Sequence, residues 1–344
     1  MNIKTLAVTA QALVAPGHGL LAMDESTGTC NARFAEHGIP QTVEARRTYR
    51  ELLVTTPGLA AAGISGAILF DETIRQRTAA GVSFVEILQQ AGIIPGIKVD
   101  VGAHGLAGFP GEKVTEGLDG LRPRLAEYAQ LGARFAKWRA VLAIGHDRPS
   151  RACIAANAHA LARYAALCQE ADLVPIVEPE VLLTGPHSLA RCAVVTEEVL
   201  HEVFAQLRTQ GVILEGMLLK PSMVLAGAEC PRQPTTADVA DATLTSMLRT
   251  VPAAVPGVAF LSGGQSSEQA TRHLAAMHAR GGRLPWALTF SFGRALHQPA
   301  LEAWGGQPAN VVAAQQALLD RVASNRTAVG TGAAAAGVEQ VLAV

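Results

Sequence analysis

Short apolar runs, each closing in polar or charged residues, recur along the chain. They are GLLAMDE (19–25), GAILFDE (66–72), IIPGIKVD (93–100), ARFAKWR (133–139), LVPIVEPE (173–180), VILEGMLLK (212–220), GVAFLSGG (257–264) and PWALTFSFGR (285–294). Each has the length and residue types of a buried β-strand. Between them lie Ala- and Leu-rich stretches with helical spacing, such as NAHALARYAALCQE (157–170) and TEEVLHEVFAQLR (196–208). The steps from Lys98 to Lys137, Glu178, Lys220 and Ser262 are 39, 41, 42 and 42 residues. Eight strands alternating with helices at so even a period predict an α/β (β/α)8 TIM barrel. A doubly wound open sheet is the main competitor, and eight evenly treated strands weigh against it. No linker interrupts the pattern. One barrel domain is expected over 1–324, followed by a flexible Ala/Gly-rich C-terminal tail over 325–344.

Barrel enzymes carry their chemistry at the C-terminal ends of the strands, where the polar residues of these runs fall. Lysine sharpens the picture. Of 28 Lys and Arg residues only Lys4, Lys98, Lys113, Lys137 and Lys220 are lysine, and three of these sit in or beside apolar strand-like runs. Burying a lysine is unfavourable unless the site uses it. Lys220 follows Met217-Leu218-Leu219 and precedes Pro221. A lysine nucleophile must be unprotonated, a form favoured by desolvation and by a nearby cation, and Lys137 two strands earlier supplies the cation. Between them Glu178 and Glu180 offer carboxylates, and Asp24 adds another from the first strand. Lys137 is the rival nucleophile; the MLLK-Pro setting reads as the drier one.

The turn Ser262-Gly263-Gly264 reads as a phosphate cradle, since glycines let backbone N–H groups approach an anion. The next strand ends Ser291-Phe292-Gly293-Arg294, adding a hydroxyl, a glycine and a guanidinium fork at the strand-seven and strand-eight position where barrels commonly bind phosphate. Two further matches mislead. Gly17-His-Gly19-Leu-Leu-Ala22 fits G-x-G-x-x-A but precedes a strand, so it reads as a helix-ending turn. Leu261-Ser-Gly-Gly-Gln265 resembles the ATP-binding-cassette signature, but the chain contains no Gly-Lys pair for a P-loop.

Composition removes other classes. Net charge is −1 and aromatic content 4%, against nucleic-acid binding. The charge-free stretches Thr5–Met23 and Leu52–Phe70 contain Pro and Gly, unlike a membrane span, and the first lacks signal-peptide organisation. Five cysteines without C-x-x-C read as reduced thiols of a cytoplasmic protein, and Asn325-Arg-Thr327 as a chance sequon. The ten histidines form neither H-E-x-x-H nor a dense ligand cluster, so no metal site is expected.

The motifs LLAMDESTG, YRELL, AILFDETI, GIKVD, EGLDGL, FAKWR, ANAHALARYA, VPIVEPE, RCAVVTEEVL, LLKPSMV, FLSGGQS, PWALTFSFGRAL and AWGG run in order over roughly residues 18–326. Together they closely resemble class I, Schiff-base fructose-bisphosphate aldolases. The resemblance implies reversible cleavage of fructose 1,6-bisphosphate to dihydroxyacetone phosphate and glyceraldehyde 3-phosphate, with no metal or other cofactor, in a homotetramer. It implies that Lys220 forms the Schiff base, Glu178 is its general acid/base, Glu180 supports the charge network, Asp24 handles the hexose hydroxyl and Lys137 is the neighbouring cation. Ser262, Gly263, Gly264, Ser291, Gly293 and Arg294 would hold the ketone-side phosphate; Arg33, Ser26, Lys98 and Arg139 would serve the other. Alternatives are an aldolase preferring sedoheptulose bisphosphate or fructose 1-phosphate, and a non-catalytic sugar-phosphate-binding scaffold. The sequence departs from the family at Phe292, where tyrosine is common, at Ala32, where lysine is frequent, and at Val344, where members with a catalytic tail carry tyrosine. Tail proton exchange is therefore expected to matter little here.

Overall fold

The computed structural model describes residues 1–280 and 282–330. Eight parallel strands close into a barrel: β1 (Gly19–Ala22), β2 (Ile64–Leu69), β3 (Ile94–Lys98), β4 (Phe135–Leu142), β5 (Val174–Val181), β6 (Leu218–Leu219), β7 (Gly257–Phe260) and β8 (Ala287–Phe292). Each pairs with its sequence neighbours, and β8 returns to β1 through Leu20↔Ser291. A small antiparallel pair, Gly102–Gly105 with Lys113–Glu116, follows β3. The helices between strands open on Ser or Thr side chains that accept from the third backbone N–H, as at Ser150, Ser188, Thr235 and Ser266. Such caps satisfy donors that a helix start leaves unpaired.

Alternation along a strand decides what enters the barrel. On β4, Ala136, Trp138 and Ala140 pack outward into the main core beneath the helices. Phe135 belongs to a second cluster inside the barrel with Leu20, Ile68, Val174, Ile176 and Leu218. The helix Ile3–Leu13 covers the N-terminal end, adding Leu6, Ala10 and Leu13 to that cluster. The turn after it holds Gly17 at φ +72, and a strand starts at Gly19, as the helix-ending reading expects.

The barrel floor is tight. A Cβ added at Gly96 on β3 would lie 2.2 Å from the ring of Phe135, itself fully buried. Gly96→Ala is expected to destabilise the fold by about 2 kcal/mol, the scale of overpacking a filled core. A thermal melt indistinguishable from wild type would contradict this.

Two sequence expectations are corrected. The sixth run is not strand throughout: Leu214–Gly216 is a 3-10 turn and only Leu218–Leu219 is strand. The Gln169 side chain takes over the turn's backbone, accepting from Ile213 N at 2.9 Å and donating to Ile213 O at 2.8 Å and Gly216 O at 3.2 Å. The last helix, Val311–Val329, runs through the expected start of the tail at Asn325. Asn325 is fully buried and bonded to Thr271 and Arg321, which also removes it as a glycosylation acceptor. The tail from 331 onward lies outside the described residues.

Candidate active site

Every candidate residue lines one cavity of about 470 Å³ at the C-terminal mouth of the barrel. The alternation that buries Phe135 on the floor raises Lys137 and then Arg139 on the same face of β4. On β5 it raises Glu178 and then Glu180 above Val174 and Ile176. The register places Arg139 opposite Glu178 and Lys98 opposite Lys137. Lys137 and Glu178 are therefore mid-strand residues rather than strand ends, set one layer deeper than the mouth. Lys220 follows β6; its N–H donates to Val177 O at 2.8 Å, and Pro221 after it has no N–H to donate.

At the centre, Glu178 lies between two ammonium groups: Oε2 is 3.1 Å from Lys137 Nζ and Oε1 is 3.2 Å from Lys220 Nζ. Lys137 also reaches Asp24 Oδ2 at 2.7 Å. Burial alone would push both carboxyl pKa values up. Lys137 and Lys220 outweigh it and hold Asp24 and Glu178 below the usual carboxylate range. Burial likewise opposes the charge on Lys137, but Asp24 and Glu178 raise its pKa above that of an ordinary lysine. The expected contrast in dryness is absent, because Lys137 and Lys220 are each only 3% exposed. What differs is pairing: two carboxylates for Lys137, one shared carboxylate for Lys220.

The two phosphate-type clusters differ in a similar way. Arg33 is paired to Glu25, Arg139 to Glu180, and Lys98 to Asp100 at 3.2 Å. Ser26 caps the helix Thr27–Glu36, which carries Arg33. Across the mouth, Arg294 makes no ion pair or hydrogen bond among the described residues, and the buried Ser291 Oγ has no partner. Gly263 and Gly264 have φ of +57 and +86, a backbone run that gathers N–H groups into an anion-binding hollow.

Sequence reading passed over Glu25. Its carboxylate receives Arg33, Arg50 at 2.6 Å and His297 Nε2 at 2.9 Å, and His297 Nδ1 lies 2.9 Å from the Tyr49 hydroxyl. Arg50 and His297 are almost fully buried. Two charged residues side by side in MDES and an arginine inside the apolar face of YRELL were the available signals. Nothing local marked His297. Asp100 was also passed over as a partner; besides Lys98 it accepts from Arg139 N at 3.2 Å. Among the described residues no group of three or more His, Cys, Asp or Glu is placed to hold a metal ion.

The family model for class I fructose-bisphosphate aldolase matches residues 5–340. A probable class 1 fructose-bisphosphate aldolase of Xanthomonas axonopodis pv. citri is 58% identical over 94% of this chain and 97% of that protein. Cytosolic fructose-bisphosphate aldolase 4 of Arabidopsis thaliana is 53% identical over 91% of this chain and 79% of that protein. A solved structure of the Plasmodium falciparum fructose-bisphosphate aldolase, in complex with TRAP and a small-molecule inhibitor, superposes with a TM-score of 0.94. It is 51% identical and covers 96% of this chain and 95% of that one.

Proposed function

Because this chain belongs to the class I fructose-bisphosphate aldolase family, we propose that Lys220 is the amine that condenses with the substrate ketone. The enzyme is a metal-independent lyase that reversibly cleaves fructose 1,6-bisphosphate to dihydroxyacetone phosphate and glyceraldehyde 3-phosphate. The observation that carries the assignment is the single carboxylate of Glu178 with one oxygen on each of two buried ammonium groups. Glu178 accepts a proton from Lys220 across 3.2 Å, and the neutral amine attacks the ketone carbon. The same carboxyl returns that proton to the carbinolamine hydroxyl, which leaves as water. The resulting cationic imine draws in the electrons of the breaking C–C bond. Asp24 takes the proton of the hydroxyl on the aldehyde side, the aldehyde departs, and an enamine remains on Lys220. Lys137 keeps both carboxylates ionised and ready to accept. Glu180 orients Arg139.

Ser262, Gly263, Gly264, Ser291, Gly293 and Arg294 hold the ketone-side phosphate in this reading. It is supported by the unpartnered Ser291 hydroxyl and the unpaired Arg294. Ser26, Arg33, Lys98 and Arg139 take the other phosphate, which must compete with Glu25, Asp100 and Glu180 for the three cations. The ketone-side phosphate therefore contributes more to binding. Arg294→Ala is expected to raise KM for phosphorylated ketoses about 10- to 100-fold, the worth of a lost charge-assisted fork. An unchanged KM would place the phosphate elsewhere. Comparative kinetics on fructose 1,6-bisphosphate, sedoheptulose bisphosphate and fructose 1-phosphate would test the sugar. No described helix is long and apolar enough to cross a membrane; the cytosolic Arabidopsis relative supports a cytoplasmic setting, and the family resemblance supports a homotetramer.

A further inference from the structure

We infer that Gln265 is a positioning residue for the ketone-side phosphate, locking the Ser262–Gly264 turn in its anion-accepting shape and at a fixed distance from Lys220. The inference rests on the reading of that turn as the phosphate cradle. Gln265 closes the sequence Leu261-Ser-Gly-Gly-Gln265 but stands outside the glycine run, and the chemistry described so far gives it no task.

Among the carbonyls of the turn, that of Ser262 is held by a side chain. Gln265 occupies that oxygen twice, with its backbone N–H at 3.1 Å and its side-chain Nε2 at 2.8 Å. The N–H groups of Gly263 and Gly264 donate to no protein group among the described residues. The two glycines that line the cavity thus keep N–H groups free of protein acceptors, while the Ser262 carbonyl is tied back. Two consecutive left-handed residues are flexible by nature, and glycine imposes no preference that would hold them there. The clamp must come from outside the glycines.

Three contacts aim the Gln265 amide. His273, nine-tenths buried in the following helix, places Nδ1 2.6 Å from Oε1. An Nδ1–H donating to Oε1 leaves Nε2 as the donor to Ser262. The reverse orientation of the amide would set two acceptors, Oε1 and the Ser262 carbonyl, face to face. Nε2 also lies 3.7 Å from Met223 Sδ, three residues after Lys220. A backbone bond runs parallel to it, Leu261 N to Pro221 O at 3.1 Å. One amide therefore joins the phosphate turn after β7 to the segment leaving the nucleophile after β6. A substrate seated by its phosphate is presented to Lys220 in a set alignment, which is how binding energy at a remote group serves the reacting centre.

The test is borohydride trapping of two ketones on the full-length protein, dihydroxyacetone phosphate and dihydroxyacetone, each titrated to half-saturation. Wild type should require far less of the phosphorylated ketone. In Gln265→Ala the half-saturating concentration of dihydroxyacetone phosphate should rise about tenfold, while that of dihydroxyacetone stays within about twofold. Gln265→Glu keeps the size of the side chain and its acceptor but loses the donor to Ser262, so it should show the same selective loss. Trapping of dihydroxyacetone is the internal measure of folding for both variants. An equal rise for both ketones, or no rise for either, overturns the role of Gln265. A wild-type enzyme indifferent to the phosphate overturns the cradle instead.

Discussion

Lys220→Ala should abolish the adduct that borohydride traps with dihydroxyacetone phosphate and lower kcat by about 10⁴-fold or more. The size follows from what the amine does. In the proposed mechanism no imine forms without it, and the carbanion left by C–C cleavage has no electron sink. Peptide mapping of the wild-type adduct should locate it at Lys220. The rival is 3.1 Å from the same carboxylate and equally buried, so neither distance to Glu178 nor dryness excludes it. Pairing does. To attack, a lysine must give up its proton, and Lys137 would have to do so while facing both Asp24 and Glu178, each held as an anion. Lys220 faces only Glu178, which has Lys137 on its other oxygen, so handing over the proton leaves the Lys137–Asp24 ion pair intact. An adduct mapped to Lys137 or Lys98, or none in an active preparation, would overturn the mechanism.

The barrel was legible because strand alternation wrote both the fold and the site into the same letters. In FAKWR the outward Ala136 and Trp138 fill the core while Phe135, Lys137 and Arg139 stack from floor to mouth; in VPIVEPE the stack is Val174, Ile176, Glu178 and Glu180. Reading polar residues on short apolar runs therefore found side chains that share one cavity. Illegible features depended on partners far away in sequence. Gln169 converts part of the sixth run into a turn from 44 residues upstream, and His297 meets Tyr49 across a separation of 248. No local pattern encodes such pairs. Dryness is illegible for a related reason: neighbours in the chain do not report it, since the barrel buries both lysines alike and distinguishes them by carboxylates from other strands. By composition Asn325 reads as tail, because its bond to Thr271 is equally invisible locally.

Lys137→Met should slow adduct formation by about 10²- to 10³-fold without moving it from Lys220, and should change how stability depends on pH. Methionine keeps the length and apolar stem but removes the charge that holds Asp24 at 2.7 Å and Glu178 at 3.1 Å. The kinetic loss is that of a preorganised charge at the reacting centre. The thermodynamic loss is that of leaving buried carboxylates short of a partner, about 3–5 kcal/mol near neutral pH. The sign is fixed by the direction of the shifts. In wild type both carboxyl groups titrate below their unfolded value, near pH 4. Their contribution to stability is therefore complete above that pH and fades as pH falls through the lower native values. In the variant burial prevails at one or both groups and lifts the native pKa above the unfolded one. That group then destabilises the fold at neutral pH and is relieved by protonation. Denaturant melts should accordingly show the largest deficit against wild type at pH 7 to 8, shrinking as the pH approaches 4 to 5, while the acidic limb of kcat moves to higher pH. A deficit that does not change between pH 8 and pH 5, or an acidic limb that stays in place, would mean that Lys137 does not set the charge of Asp24 and Glu178.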